Sequence, residues 1–161
     1  MKELEKNIVA LYGESGKRWF SNLSHLTSQI ATQYGLTQLK PVKNLTYNYV
    51  MSGFQGSTPV ILKLGLDIDG LKREAIALKA FSGFGVVDFL AENDGMLLLE
   101  CAVPGDALNP YFPEKEHEAV LIACDCIKRL SPGTIRFLVL KIGSRHLIKM
   151  WISQFIIYEK Q

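Results

Sequence analysis

The sequence predicts an α+β fold, an antiparallel sheet of about five strands with flanking helices. Three observations predict it. Up to Tyr34 the apolar residues recur at steps of three and four, from Leu39 they alternate with polar ones, and after Gly65 helical spacing returns. The links between the alternating runs are short enough for hairpins, so neighbouring runs pair antiparallel. At 161 residues and 48% hydrophobic, the chain is long enough for one domain with a real core and short for two.

Residues 3–12 and about 15–34 form two helices separated by Gly13-Glu14-Ser15-Gly16. In the second, Trp19, Leu23, Leu26, Ile30 and Tyr34 line one face while Lys17, Ser21, Ser24 and Gln29 fill the other. Gly35 follows directly, where a helix ends in a left-handed turn. The glycine pair lacks the spacing of a phosphate-binding P-loop and follows a helix rather than a strand, so it reads as a helix break.

Residues 39–43, 45–54 and 58–64 are strand-like, with Gln55-Gly56-Ser57 turning the second into the third. Asn44-Leu45-Thr46-Tyr47-Asn48 links the first two. It contains no glycine, but Thr46 and Asn48 offer a hydroxyl and backbone amides to a phosphate, and a plain polar hairpin turn fits the same residues.

The third strand carries Lys63 inside Val60-Ile61-Leu62-Lys63-Leu64. An ammonium there is costly to desolvate unless an anion meets it or its stem lets it reach water. The helix that follows, about residues 71–82, supplies the anion. Leu71, Ala75, Leu78 and Phe81 form its buried stripe, Asp67 or Asp69 caps it, and Glu74 stands beside the stripe. Glu74 facing solvent, satisfied by Lys72 or Arg73, is the alternative. A strand lysine anchored by a helix carboxylate is how a kinase small lobe holds two nucleotide phosphates.

Residues 86–92 and 96–100 flank Asn93-Asp94-Gly95 as a hairpin. Its second strand runs through Glu100, Cys101 and Ala102 and breaks at Pro104-Gly105. Residues 114–130 are again helical, with Ala119, Ile122, Ala123, Cys126, Ile127 and Leu130 as the stripe. The remainder, 131–161, is apolar and basic without clear periodicity.

Charge and cysteines narrow the function classes. The 18 basic and 16 acidic residues are scattered along the chain, which argues against nucleic acid as a partner. Cys101, Cys124 and Cys126 are too few and wrongly spaced for a zinc site and read as reduced, partly buried thiols. The N-terminus lacks the order of a signal peptide, and no run approaches the ~18 apolar residues that span a bilayer. A cytoplasmic protein with no membrane partner is expected.

The succession Tyr12-Gly13-Glu14-Ser15-Gly16-Lys17-Arg18-Trp19, Tyr34-Gly35-Leu36-Thr37, Pro59-Val60-Ile61-Leu62-Lys63-Leu64, Arg73-Glu74-Ala75-Ile76-Ala77-Leu78 and Leu97-Leu98-Leu99-Glu100 resembles the small lobe of the aminoglycoside/hydroxyurea phosphotransferase family. These are streptomycin 6-kinase-like enzymes of protein-kinase-like fold. The resemblance covers residues 12–130, about three quarters of the chain. It implies transfer of the ATP γ-phosphate to a small-molecule hydroxyl, with magnesium, in antibiotic resistance. It also implies that Lys63 holds nucleotide phosphates, that Glu74 anchors Lys63, and that Glu100, Cys101 and Ala102 form the hinge for the adenine.

Family catalysis also needs an H-x-D-type loop, its downstream Asn and an acidic magnesium motif. None occurs in these residues: Asp125 falls inside a predicted helix, and His146 is followed by Leu147-Ile148-Lys149. The expectation is therefore a truncated phosphotransferase, inactive alone, with residues 1–130 as a small lobe leading to a missing large lobe and 131–161 as a divergent tail. The alternative is a non-catalytic interaction module that dimerises, or pairs with a separate large lobe, through that tail.

Overall fold

The computed structural model describes residues 1–103, 105 and 108–130; the tail at 131–161 lies outside the described residues. Two compact units divide the chain, the first made of Met1–Lys79 with Asp88–Cys101 and the second containing Ala80–Val87 and the described residues from Ala102 on. Among the described residues the architecture is α+β. The elements run α1 (Lys2–Tyr34), β1 (Leu36–Pro41), β2 (Tyr49–Gln55), β3 (Thr58–Leu64), α2 (Ile68–Ala80), β4 (Phe89–Asn93), β5 (Met96–Glu100), a short 3-10 turn at Asn109–Tyr111, and α3 (Glu116–Arg129). The five strands form one antiparallel sheet in the order β1-β2-β3-β5-β4, so β3 lies at its centre.

The break expected between two N-terminal helices is a single residue, Gly13, with φ 56° and ψ −129°; Glu14, Ser15 and Gly16 are already helical. A side chain at position 13 would strain that backbone, whereas at Gly16 the constraint is space, since a Cβ there would stand 2.6 Å from the carbonyl oxygen of Ile8. The kink lets both arms enter one core: Leu4 and Ile8 from the first, Leu23 and Ile30 from the second. Gly35 ends the helix with φ 64°, its amide donating to the Ala31 carbonyl, as the sequence leads one to expect.

Strand limits depart from the sequence reading for local reasons. β1 begins at Leu36, not 39, because the irregularity between Thr37 and Lys40, with Gln38 at φ 54°, erases the alternation at its start. Residues 45–48 belong to the β1–β2 connection rather than to β2; Leu45 is apolar because it is buried in the α1-side core, not because it lies in a strand. β4 starts at Phe89 rather than 86, after a loop in which Gly83 and Gly85 take positive φ.

Register separates the sheet's two faces. Val60, Leu62 and Leu64 of β3, Tyr49 and Met51 of β2, and Met96 and Leu98 of β5 point into the cluster covered by α1. Lys63 belongs to the other face, aligned with Val50 on one side and Leu97 on the other. α2 is fixed to that second face by Glu74, which meets Lys63, and by Lys79, whose ammonium lies 4.2 Å from the centre of the Phe89 ring. Its buried stripe is Leu71, Ala75 and Leu78.

In the second unit, Ala119 is buried and Ile122, Ala123, Cys126 and Leu130 are half-buried, but Ile127, placed on the buried stripe by its spacing, is 40% exposed. Cys124 is exposed, which corrects the expectation of three partly buried thiols, while Cys101 and Cys126 are half-buried.

Candidate functional site

Lys63 stands one residue before the end of the central strand, where alternation turns it out of the apolar α1-side core. Its Nζ donates to Oε2 of Glu74 at 2.6 Å, and the two side chains are only 16% and 20% exposed. Glu74 reaches it because Asp67 starts α2 at a fixed point: Oδ1 of Asp67 accepts the Gly70 amide at 2.8 Å, and the helix then brings position 74 round beside the Leu71–Ala75 stripe. Asp67, not Asp69, is the cap. Neither neighbour on the helix satisfies Glu74, and Lys72 instead reaches Asp94 in the β4–β5 turn at 3.3 Å.

An ammonium has three N–H groups, and Glu74 accepts one of them. The carboxylate thus holds the head group in place while leaving it able to meet a further anion. Beside Lys63, on the same face, lie Val50, Ser52 and Ile61, all half-buried, and Phe54, 37% exposed. They form a mainly apolar shelf on β2 and β3 leading from Lys63 toward the start of β3.

That start of β3 meets the end of β5. Val60 aligns with Glu100, and the Cys101 amide donates to the Pro59 carbonyl at 3.0 Å. Glu100 is held to Asp88 twice: its amide donates to the Asp88 carbonyl at 2.9 Å, and its carboxylate accepts the Asp88 amide at 3.2 Å. Burial, and secondarily the Glu100 charge, pushes the Cys101 thiol above its ordinary range. Ala102 is half-buried and belongs to the second unit. Lys63 and the strand end at Glu100 therefore share one sheet, about three residues or ~10 Å apart along β3.

At the opposite end of the strands lies the β1–β2 connection with Thr46 and Asn48. Thr46 exposes its side chain, while its carbonyl accepts from Nδ2 of Asn7 at 3.1 Å. Asn48 turns its side chain against Gly65, where any Cβ would collide with Oδ1. The Asn48 side chain thus packs against the backbone that leaves β3. The contacts of Asn7, Asp88 and Asp94 have no sequence signal, because each joins residues far apart whose local contexts are ordinary loop or helix. Among the described residues no three His, Cys, Asp or Glu side chains converge to hold a metal ion, and no helix is long and apolar enough to cross a membrane. Comparison of the chain with protein-family models, curated proteins and solved structures found no match.

Proposed function

We propose that the first unit is a nucleotide-holding small lobe of protein-kinase-like type, part of a phosphotransferase that phosphorylates an alcohol group on an antibiotic-like small molecule of the aminoglycoside or hydroxyurea class. The observation that carries this reading is the Lys63–Glu74 pair, largely withdrawn from water on the central strand and flanked by an apolar shelf. A mostly buried ion pair is weak evidence for stability, so a functional reason for keeping it carries weight. The remaining Lys63 donors hold nucleotide phosphates, Val50, Ile61 and Phe54 lie beneath the base and ribose, and the backbone at Glu100 and Cys101 marks the adenine end. Magnesium enters with the ATP phosphates and supplies charge neutralisation there. In this reading the catalytic loop belongs to a large lobe, and these residues alone hold nucleotide without transferring phosphate. A cytoplasmic setting fits a consumer of ATP.

A second reading, an interaction module that dimerises or receives a separate large lobe, is favoured by Val120, Leu121 and Ile127, which α3 exposes to 48%, 56% and 40%. Calorimetric titration separates the two. The nucleotide reading expects MgATP binding that is lost in Lys63→Ala and strongly weakened in Glu74→Gln. Absence of binding by the unaltered chain, or binding indifferent to Lys63, refutes it.

A further inference from the structure

The β1–β2 connection lies at the Lys63 end of the strands, yet it has no glycine and so cannot converge several amides by the usual backbone freedom. Within it only Asn44 takes a positive φ, 59°, the region that asparagine tolerates better than most residues. Its order comes instead from three pins to elements outside the loop: the Asn7 side chain on the Thr46 carbonyl, Leu45 only 7% exposed in the α1-side core, and Asn48 seated against Gly65. Gly65 is itself tied to the next turn, its amide donating to the Gly95 carbonyl at 3.0 Å.

The first pin has a directional effect. In a trans peptide the C=O and the following N–H point opposite ways. With the Thr46 carbonyl drawn toward α1, the Tyr47 amide is turned away from α1, and the sheet face away from α1 is the one that carries Lys63. Among the described residues the Tyr47 N–H meets no backbone or side-chain acceptor, and Thr46 and Tyr47 are both exposed.

Resting on the nucleotide reading above, we infer that Asn7 is a positioning residue that, through the Thr46 carbonyl, aims the Tyr47 amide at the nucleotide phosphates. The N-terminal helix thereby becomes part of the phosphate site without touching the nucleotide.

Calorimetric affinities of the full chain for MgATP and for adenosine test this, because a phosphate contact affects the first and not the second. Asn7→Leu, close in shape but without a donor, is expected to weaken MgATP about tenfold and leave adenosine unchanged. Tyr47→Pro, which removes the amide itself, is expected to do the same, and Asn7→Leu/Tyr47→Pro to be no worse than either single change, since both act through one contact. Asn7→Gln, which keeps an amide donor, restores part of the loss. Thermal melts confirm that each variant is folded. Equal losses for MgATP and adenosine, or additive losses in the double variant, overturn the inference. If MgATP binding depends on Lys63 but is untouched by Asn7→Leu, the inference falls and the nucleotide reading stands; if the unaltered chain binds no MgATP, both fall.

Discussion

Lys63 and Glu74, eleven positions apart in the chain, meet at 2.6 Å because the end of β3 and the second turn of α2 are set against each other by the Asp67 cap. Removing one partner strands the other in a poorly hydrated place. Lys63→Met is therefore expected to cost about 1–3 kcal/mol of unfolding free energy, and Lys63→Met/Glu74→Leu to recover most of it. Urea titrations of the single and double variants measure the difference. A double variant as unstable as the single would show that packing around the site, not the stranded charge, sets the cost.

Asp67 and Asp69 look equivalent in sequence but only Asp67 accepts the Gly70 amide. Asp67→Ala is expected to lose about 1 kcal/mol and Asp69→Ala to stay within about 0.5 kcal/mol of the parent. Paired melts would expose an error if the order were reversed.

Gly16→Ala tests the close approach within α1. An added methyl would press on the Ile8 carbonyl, a backbone atom that cannot swing aside, so a loss of about 1–3 kcal/mol is expected even though alanine is the better helix former. A neutral or stabilising result would mean that the two arms of α1 can part without cost.

The raised Cys101 thiol gives a pH dependence. At a fixed mildly alkaline pH it holds less thiolate than an ordinary cysteine, so iodoacetamide should modify exposed Cys124 first, with Cys101 catching up only as pH rises. The folded state keeps the Cys101 proton longer than the unfolded chain does. This contribution to stability is thus fully present below the unfolded thiol pKa and lost as pH climbs through it toward the raised folded value. Mass-spectrometric mapping that finds Cys101 the faster thiol would contradict the assignment.

Purified chain incubated with radiolabelled ATP and streptomycin, another aminoglycoside or hydroxyurea is expected to give no labelled product, since in the proposed reading the catalytic loop belongs to a large lobe. Robust turnover that disappears in Lys63→Ala would place the whole catalytic apparatus within these residues.

Much of the fold was legible because periodicity, the Asp94-Gly95 turn and Gly35 each act locally. The five strands, their antiparallel pairing and the Lys63–Glu74 contact all follow from such signals plus the rule that a strand lysine needs an anion. What escaped the sequence was non-local or irregular. The bulge at Gln38 hid the start of β1, and Leu45 mimicked a strand residue while serving the core. The Asn48 side chain packs on Gly65, a contact that depends on two strand ends arriving together. Asn7 and Thr46, joined across 39 positions, carry no shared pattern at all.

The strand order also sets the sequence of events in folding. β2 with β3, and β4 with β5, are hairpins closed by tight turns, but the ladder that pairs Lys63 with Leu97 joins the two hairpins across all of α2 and the loop after it. Closing that long segment carries an entropic cost that neither hairpin bears, which makes the β3–β5 seam the slow, late pairing. The pairing of Lys63 with Leu97 is thus absent from either hairpin alone and forms only when the seam shuts. A reporter on the Lys63–Leu97 pairing registers the closing of the seam, whereas one at the Gly56 turn registers the β2–β3 hairpin.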